Sequence, residues 1–190
     1  FEHGYADAPD GVAKNVTRAV ATGVAGLSIE DSTGRPDQPL YDFAHAVARV
    51  KAARAAIDAG GTGTVLTARS EGFFVGRPDL DETVKRLKAF AEAGADCLYA
   101  PGLPDHAAIG AALKAVAPKP VNVLASGPGF KVPELAALGV RRVSVGGALA
   151  RAAWGGFISA ARDMLDGGAF QPFAPIAPFR NLNAAFKDAQ

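Results

Sequence analysis

Apolar and polar positions follow two different periods along this chain. Short continuous apolar runs, such as Leu27–Ile29 and the segment from Thr64 to Ser70, alternate with longer stretches whose apolar residues recur three and four positions apart. The short runs read as buried parallel strands and the longer stretches as amphipathic helices. Helices are predicted over roughly 11–22, 40–59, 80–93, 105–116, 132–138 and 148–166, with Pro or Asp at several starts.

Three stretches repeat one plan, a helical run ending in Gly and then a short apolar strand: ATGVAGLSIED around Gly23, AEAGADCLYAP around Gly94 and AALGVRRVSVGG around Gly139. The Gly suits the left-handed position at a helix C-terminus. Further strands are predicted at Thr64–Ser70 and Pro120–Leu124. Strict alternation without a Gly-rich nucleotide fingerprint favours an α/β fold of the TIM-type (β/α)8 barrel over an open doubly wound sheet. The predicted strands fall short of the roughly eight of a closed barrel, and the opening FEHGYAD reads as the loop after a strand, so about three N-terminal strands are expected ahead of Phe1. Residues 1–168 are assigned to this partial barrel, which carries the active site. Residues 169–190 form a C-terminal arm and helix, where Phe170, Phe173, Ile176, Phe179, Leu182 and Phe186 suit a subunit contact.

Composition narrows the class. A chain of 190 residues, 49% hydrophobic and 21% charged, suits a globular domain rather than a disordered one. The 20 basic and 19 acidic residues are dispersed and give a net charge of +1, so neither nucleic acid nor a membrane surface is expected as a partner. The single cysteine, Cys97, has no internal disulfide partner and reads as a buried strand residue. No apolar run approaches the roughly 20 residues that span a bilayer, and the N-terminus lacks a signal-peptide pattern, so a cytoplasmic enzyme is expected.

In an α/β barrel the chemistry lies at the carboxyl ends of the strands. Reading those positions yields Glu2, His3, Tyr5 and Asp7, then Glu30 and Asp31, Arg69 and Glu71, Tyr99, Asn122 and Ser126, and Ser144. Carboxylates on neighbouring strand ends with an arginine opposite suit a hard, oxygen-ligated cation beside an anionic substrate. Glu30 ends an apolar strand, where a carboxylate needs a metal or an arginine; Arg69 is its natural countercharge, and a structural ion pair is the alternative reading. Asp10 reads as a helix cap, and Asp7 and Asp31 suit capping and site roles equally. His3, His45 and His106 lack a zinc-ligand spacing, and the latter two fall on helices remote from the strand ends. The glycines of SGPGF (Ser126–Phe130) match no nucleotide loop but could cradle a phosphate with the helix start at Ala148.

Five segments in order, FEHGYAD (Phe1–Asp7), GLSIEDS (Gly26–Ser32), LTARSEGF (Leu66–Phe73), GADCLYAPGLP (Gly94–Pro104) and PVNVLASGPG (Pro120–Gly129), resemble the isocitrate lyase and phosphoenolpyruvate mutase superfamily. The resemblance implies a TIM barrel with Mg²⁺ at its mouth, Mn²⁺ being the alternative. On it, Glu2 matches the second acid of the family's metal-binding pair, Glu30 its later glutamate, and the first acid is expected just before Phe1. Arg69 matches the arginine that grips the substrate's carboxylate or phosphonate, and Asn122 a pocket residue, with Tyr5 and Ser126 as further candidate substrate contacts. One departure stands out. The lyases carry a mobile loop with a Lys-Lys-Cys-Gly-His core, whereas Ser32–Phe43 here (STGRPDQPLYDF) holds no Cys, His or Lys.

The expected activity is therefore a Mg-dependent lyase acting on a small, oxaloacetate-like 2-oxo acid by C–C cleavage or decarboxylation through a metal-stabilised enolate. The alternatives are P–C bond chemistry of the carboxyvinyl-carboxyphosphonate phosphorylmutase type, and a phosphate-binding or non-catalytic barrel. The resemblance also implies a homo-oligomer, a dimer or a tetramer that exchanges C-terminal helices.

Overall fold

The computed structural model describes residues 1–173 and 177–187, which fall into two compact units, Phe1–Ser144 and Val145–Gln190. The first unit is five helix–strand pairs whose strands form one open sheet. Its strands β1 (Gly26–Glu30), β2 (Val65–Arg69), β3 (Cys97–Tyr99), β4 (Val121–Leu124) and β5 (Arg142–Ser144) lie in the order β1-β2-β3-β4-β5, each parallel to the next. The helices are α1 (Pro9–Val20), α2 (Phe43–Gly60), α3 (Leu80–Glu92), α4 (His106–Val116) and α5 (Val132–Leu138). This is the expected barrel architecture, represented by its parallel strands and crossover helices.

Strand alternation decides which chemistry each face carries. Ile29, Leu66, Ala68, Leu98, Val121 and Val123 are buried on the helix-covered face. The residues between them, among them Thr67, Arg69, Tyr99, Asn122 and Ser144, are polar and lie on the other face. Helix α1 buries Val12, Val16 and Val20, spaced one turn apart, and packs on α2, which buries Ala46, Val50, Ala53 and Ile57. Each such large aliphatic side chain contributes about 1.5–3 kcal/mol by leaving water. The helix layer and one sheet face thus hold the unit together, and the second face is free to carry a site.

Helix boundaries differ from expectation at two places, each for a local reason. Helix α1 begins at Pro9, whose fixed φ fits a first helical turn, so Ala8 is the N-cap and Asp10 lies inside the first turn rather than capping. Helix α2 begins only at Phe43, because the preceding segment is tied back by a bridge between Ser32 and Leu40 and by hydrogen bonds from Thr33 N–H to the Pro39 carbonyl and from Tyr41 N–H to the Asp31 carbonyl. Asp79 and Asp105 cap α3 and α4, accepting from the Glu82 and Ala108 N–H groups at 2.9 and 2.8 Å. Gly94, at φ +100° after α3, is required twice over: a Cβ there would also meet Arg54 Cγ at 2.6 Å.

The second unit contains α6 (Ala148–Gly167), a 3-10 turn (Gln171–Phe173) and α7 (Phe179–Lys187). Helix α6 buries no residue, and Trp154 and Phe157 meet edge to face on it with ring centroids 5.5 Å apart. Phe170, Phe173, Phe179, Leu182 and Phe186 are all exposed, and Ile176 lies outside the described residues.

Candidate active site

Register places the site. Glu30 pairs with Arg69, Arg69 with Tyr99, Tyr99 with Asn122 and Asn122 with Arg142, so one row of polar side chains crosses all five strands on the face away from the helices. Arg69 is its centre. Its Nη1 lies 2.7 Å from Glu30 Oε1, its Nε donates to Glu71 Oε1 at 2.7 Å, and its Cζ stands 4.8 Å from the centre of the Tyr99 ring. Burial opposes the Arg69 charge, but the hydrogen bond it donates to Glu71 and the charges of Glu71 and Glu30 outweigh it and lift its pKa above the ordinary arginine value.

Glu71 is the most perturbed acid of the group. Its side chain is 2% exposed, and burial pushes its pKa up to about 7 in spite of the Arg69 contact, with the nearby charges of Glu30 and Asp31 adding to the rise. Asp31 anchors the same loop from below. Its Oδ1 accepts the Glu71 backbone N–H at 2.7 Å and its Oδ2 meets Arg86 Nη1 at 3.1 Å. Arg86 also reaches Glu82 at 2.9 Å and the Tyr41 carbonyl at 3.0 Å. Burial raises the Asp31 pKa against the lowering by the Glu71 N–H and Arg86. The function of Asp31 is therefore to hold the β2–α3 turn, and neither Asp31 nor Asp7 caps a helix.

The remaining candidates stand at different distances from this centre. Asn122 is buried and donates to Ser144 Oγ at 2.9 Å, while its Oδ1 has no partner among the described residues. Glu2 joins the site through its backbone, since its carbonyl accepts the Glu30 N–H at 2.9 Å; its side chain is exposed and its φ is +46°. Tyr5 is exposed and packs edge to face on Phe1 at 5.3 Å, and Ser126 lies exposed beyond β4. Structure thus brings Glu30, Arg69 and Asn122 into one row, brings Glu2 alongside, and leaves Tyr5 and Ser126 outside the contact network.

The loop that carries Glu2 is itself clamped. Arg49, fully buried on α2, donates to the carbonyls of His3, Ala6 and Asp7, and its Cζ lies 4.0 Å from the Tyr41 ring centre. Tyr41 donates its hydroxyl to Asp7, whose carboxyl this bond and Arg35 hold below the usual range. His45, expected to be remote, meets the Asp7 carbonyl at 2.8 Å because α2 starts beside this loop. His106 remains apart, at the start of α4 against the Phe130 ring.

Glu71, Tyr99 and Ser144 were visible in the sequence as strand-end residues without roles. The signal for Glu71 was its spacing of two from Arg69, which returns a side chain to the same side of an extended chain. No group of three or more His, Cys, Asp or Glu side chains suited to a cation occurs among the described residues.

The chain as a whole has counterparts among known proteins. The family model for phosphoenolpyruvate phosphomutase matches residues 1–165. The chain belongs to the phosphoenolpyruvate mutase family. A crystal structure from Burkholderia cenocepacia, described provisionally as a lyase/mutase, is 48% identical, with a TM-score of 0.91 over 97% of this chain and 67% of that one. An uncharacterized protein of Mycobacterium tuberculosis is 32% identical over 189 residues, covering 99% of this chain and 67% of its own length. The oxaloacetate decarboxylase of Paraburkholderia xenovorans is 33% identical over 150 residues, 75% of this chain and 47% of that enzyme. As a member of the phosphoenolpyruvate mutase family the chain is an enzyme of a lyase and phosphonomutase group, and it spans about two thirds of the length of the first two relatives. No helix among the described residues is long and apolar enough to cross a membrane.

Proposed function

We propose that this chain carries the active site of a divalent-metal-dependent lyase that cleaves or decarboxylates a small 2-oxo acid of the oxaloacetate class. The observation that carries the reading is the Glu30–Arg69–Glu71 group at the strand ends, in which two carboxylates share one guanidinium. Arg69 is committed to protein carboxylates in that group, and a hard cation beside Glu30 would release it for a substrate anion.

The donor chemistry fits Mg²⁺ or Mn²⁺ in kind. Glu30 engages Arg69 through Oε1 and is 16% exposed, so it is the carboxylate that would hold the ion, and Glu2, whose side chain is exposed, would join it only by turning that side chain toward Glu30. When bound, such an ion polarises a keto oxygen and stabilises an enolate. Arg69 binds the substrate's anionic end, and its planar fork suits a carboxylate in a way that lysine cannot copy. Tyr99 supports the guanidinium from one side, and Asn122 offers a buried amide to a substrate oxygen. Ser32–Phe43, held by the Ser32 to Leu40 bridge, shields the site without supplying an acid–base group.

The test is consumption of oxaloacetate, 2-methylisocitrate and phosphonopyruvate by the full-length protein above the metal-only rate, with the products identified, with Mg²⁺, with Mn²⁺ and after chelation. Metal-dependent turnover of oxaloacetate or a related 2-oxo acid is expected. Turnover of phosphonopyruvate alone would move the assignment to P–C chemistry, and no metal-dependent turnover of any of them would reject the lyase reading. The cytoplasm, and a homodimer or homotetramer built through the C-terminal helix, complete the proposal.

A further inference from the structure

We propose that Glu71 is a positioning residue for this reaction: it holds Arg69 by its Nε edge, so that only the distal nitrogens of the guanidinium pass between Glu30 and a substrate carboxylate. The inference rests on the 2-oxo acid reading and adds to it the residue that sets its arginine.

The two carboxylates on Arg69 are not equivalent. Glu71 is 2% exposed, and its backbone is tied by the 2.7 Å bond from its N–H to Asp31, which Arg86 holds in turn. Glu30 stands at the open end of β1 and is 16% exposed. When a substrate carboxylate or a cation competes, Glu30 is the partner that can yield and Glu71 the one that stays. An arginine has several rotatable bonds, and ordering them in the act of binding would oppose affinity. With Nε engaged at 2.7 Å and the Tyr99 ring 4.8 Å from Cζ, that ordering is complete before substrate arrives. The chain Arg86–Asp31–Glu71–Arg69 therefore transmits the rigidity of α3 to the end of β2.

The experiment is a double-mutant cycle on the full-length protein. Glu71→Ala and Glu71→Gln are made in the wild-type and Arg69→Lys backgrounds. Steady-state turnover of oxaloacetate with Mg²⁺ and affinity for oxalate, a planar enolate mimic, are measured. Solvent exchange of the Arg69 Nε–H is followed by ¹⁵N NMR without ligand. Glu71→Ala is expected to lower kcat/KM by about 30-fold in the wild type but by under about threefold in Arg69→Lys, because Glu71 acts through the arginine. Glu71→Gln should recover about tenfold of the loss, since its amide oxygen still accepts the Nε–H. The Nε–H should exchange slowly in the wild type and in Glu71→Gln. Equal losses in both backgrounds, or a freely exchanging Nε–H in the wild type, would overturn the proposal. If the wild type neither turned over oxaloacetate nor bound oxalate, the functional reading would fail while the exchange rates still decided the role of Glu71. They also decide it if Glu71→Ala does not fold.

Discussion

Replacing Glu71 by glutamine should remove a definite part of the pH dependence of stability. Burial raises the Glu71 pKa from 4.5 to about 7, against the opposing contact with Arg69. Because the folded pKa lies above the unfolded one, the folded state holds the proton more tightly between those values. Stability from this group is therefore full below about pH 4.5, falls as pH rises through about 7, and is constant above it. At about 1.4 kcal/mol per tenfold change in proton affinity, the difference between the two plateaus is about 3 kcal/mol. Solvent screening does little to reduce it, since the side chain is 2% exposed. Glutamine is close in volume and keeps an acceptor for Arg69 Nε, but it does not titrate. Urea unfolding of wild type and Glu71→Gln at a series of pH values from about 4.5 to about 8 isolates the effect, because other carboxylates largely cancel in the difference. The variant should gain on the wild type by about 3 kcal/mol across that range, with most of the change between about pH 5 and 7. A difference that stayed flat within about 0.5 kcal/mol, or that moved the other way, would show that Glu71 is ionised throughout and that Arg69 outweighs burial.

Asp31→Ala should destabilise the protein by about 3–5 kcal/mol, because it strips the buried Arg86 of a carboxylate and the Glu71 N–H of its acceptor. A loss below about 1 kcal/mol in the same unfolding assay would mean that Glu82 and the Tyr41 carbonyl satisfy Arg86 alone. Truncation after Gly168 removes the exposed Phe179, Leu182 and Phe186 and should lower the oligomeric state. Sedimentation equilibrium at matched concentrations checks this, and an unchanged mass would place the subunit contact elsewhere.

The order and type of the elements were legible in the sequence because the signals are local. The fourfold spacing of Val12, Val16 and Val20 defines one helix face whatever surrounds it, and Asp79 and Asp105 cap from within their own turns. Strand ends were legible for the same reason, and with them Glu30, Arg69 and Asn122 as neighbours in a barrel mouth. Boundaries slipped where a non-local contact intervened, as at α2, whose start is delayed by the Ser32 to Leu40 bridge. What only the tertiary structure decided is which charges meet. Glu30 could as well have faced a cation alone, but register sets it beside Arg69, and the fold brings Asp31 under Glu71 and Arg86 against Asp31. Those contacts join residues far apart in the chain, and their energies depend on burial that no local pattern encodes. A carboxyl that would titrate near 4.5 in the unfolded chain is moved to about 7 by its surroundings rather than by its neighbours in sequence. Hence the sequence determined a (β/α) unit with acids and an arginine at its strand ends, and the folded packing determined that Arg69 is shared by two carboxylates, one anchored and one able to yield.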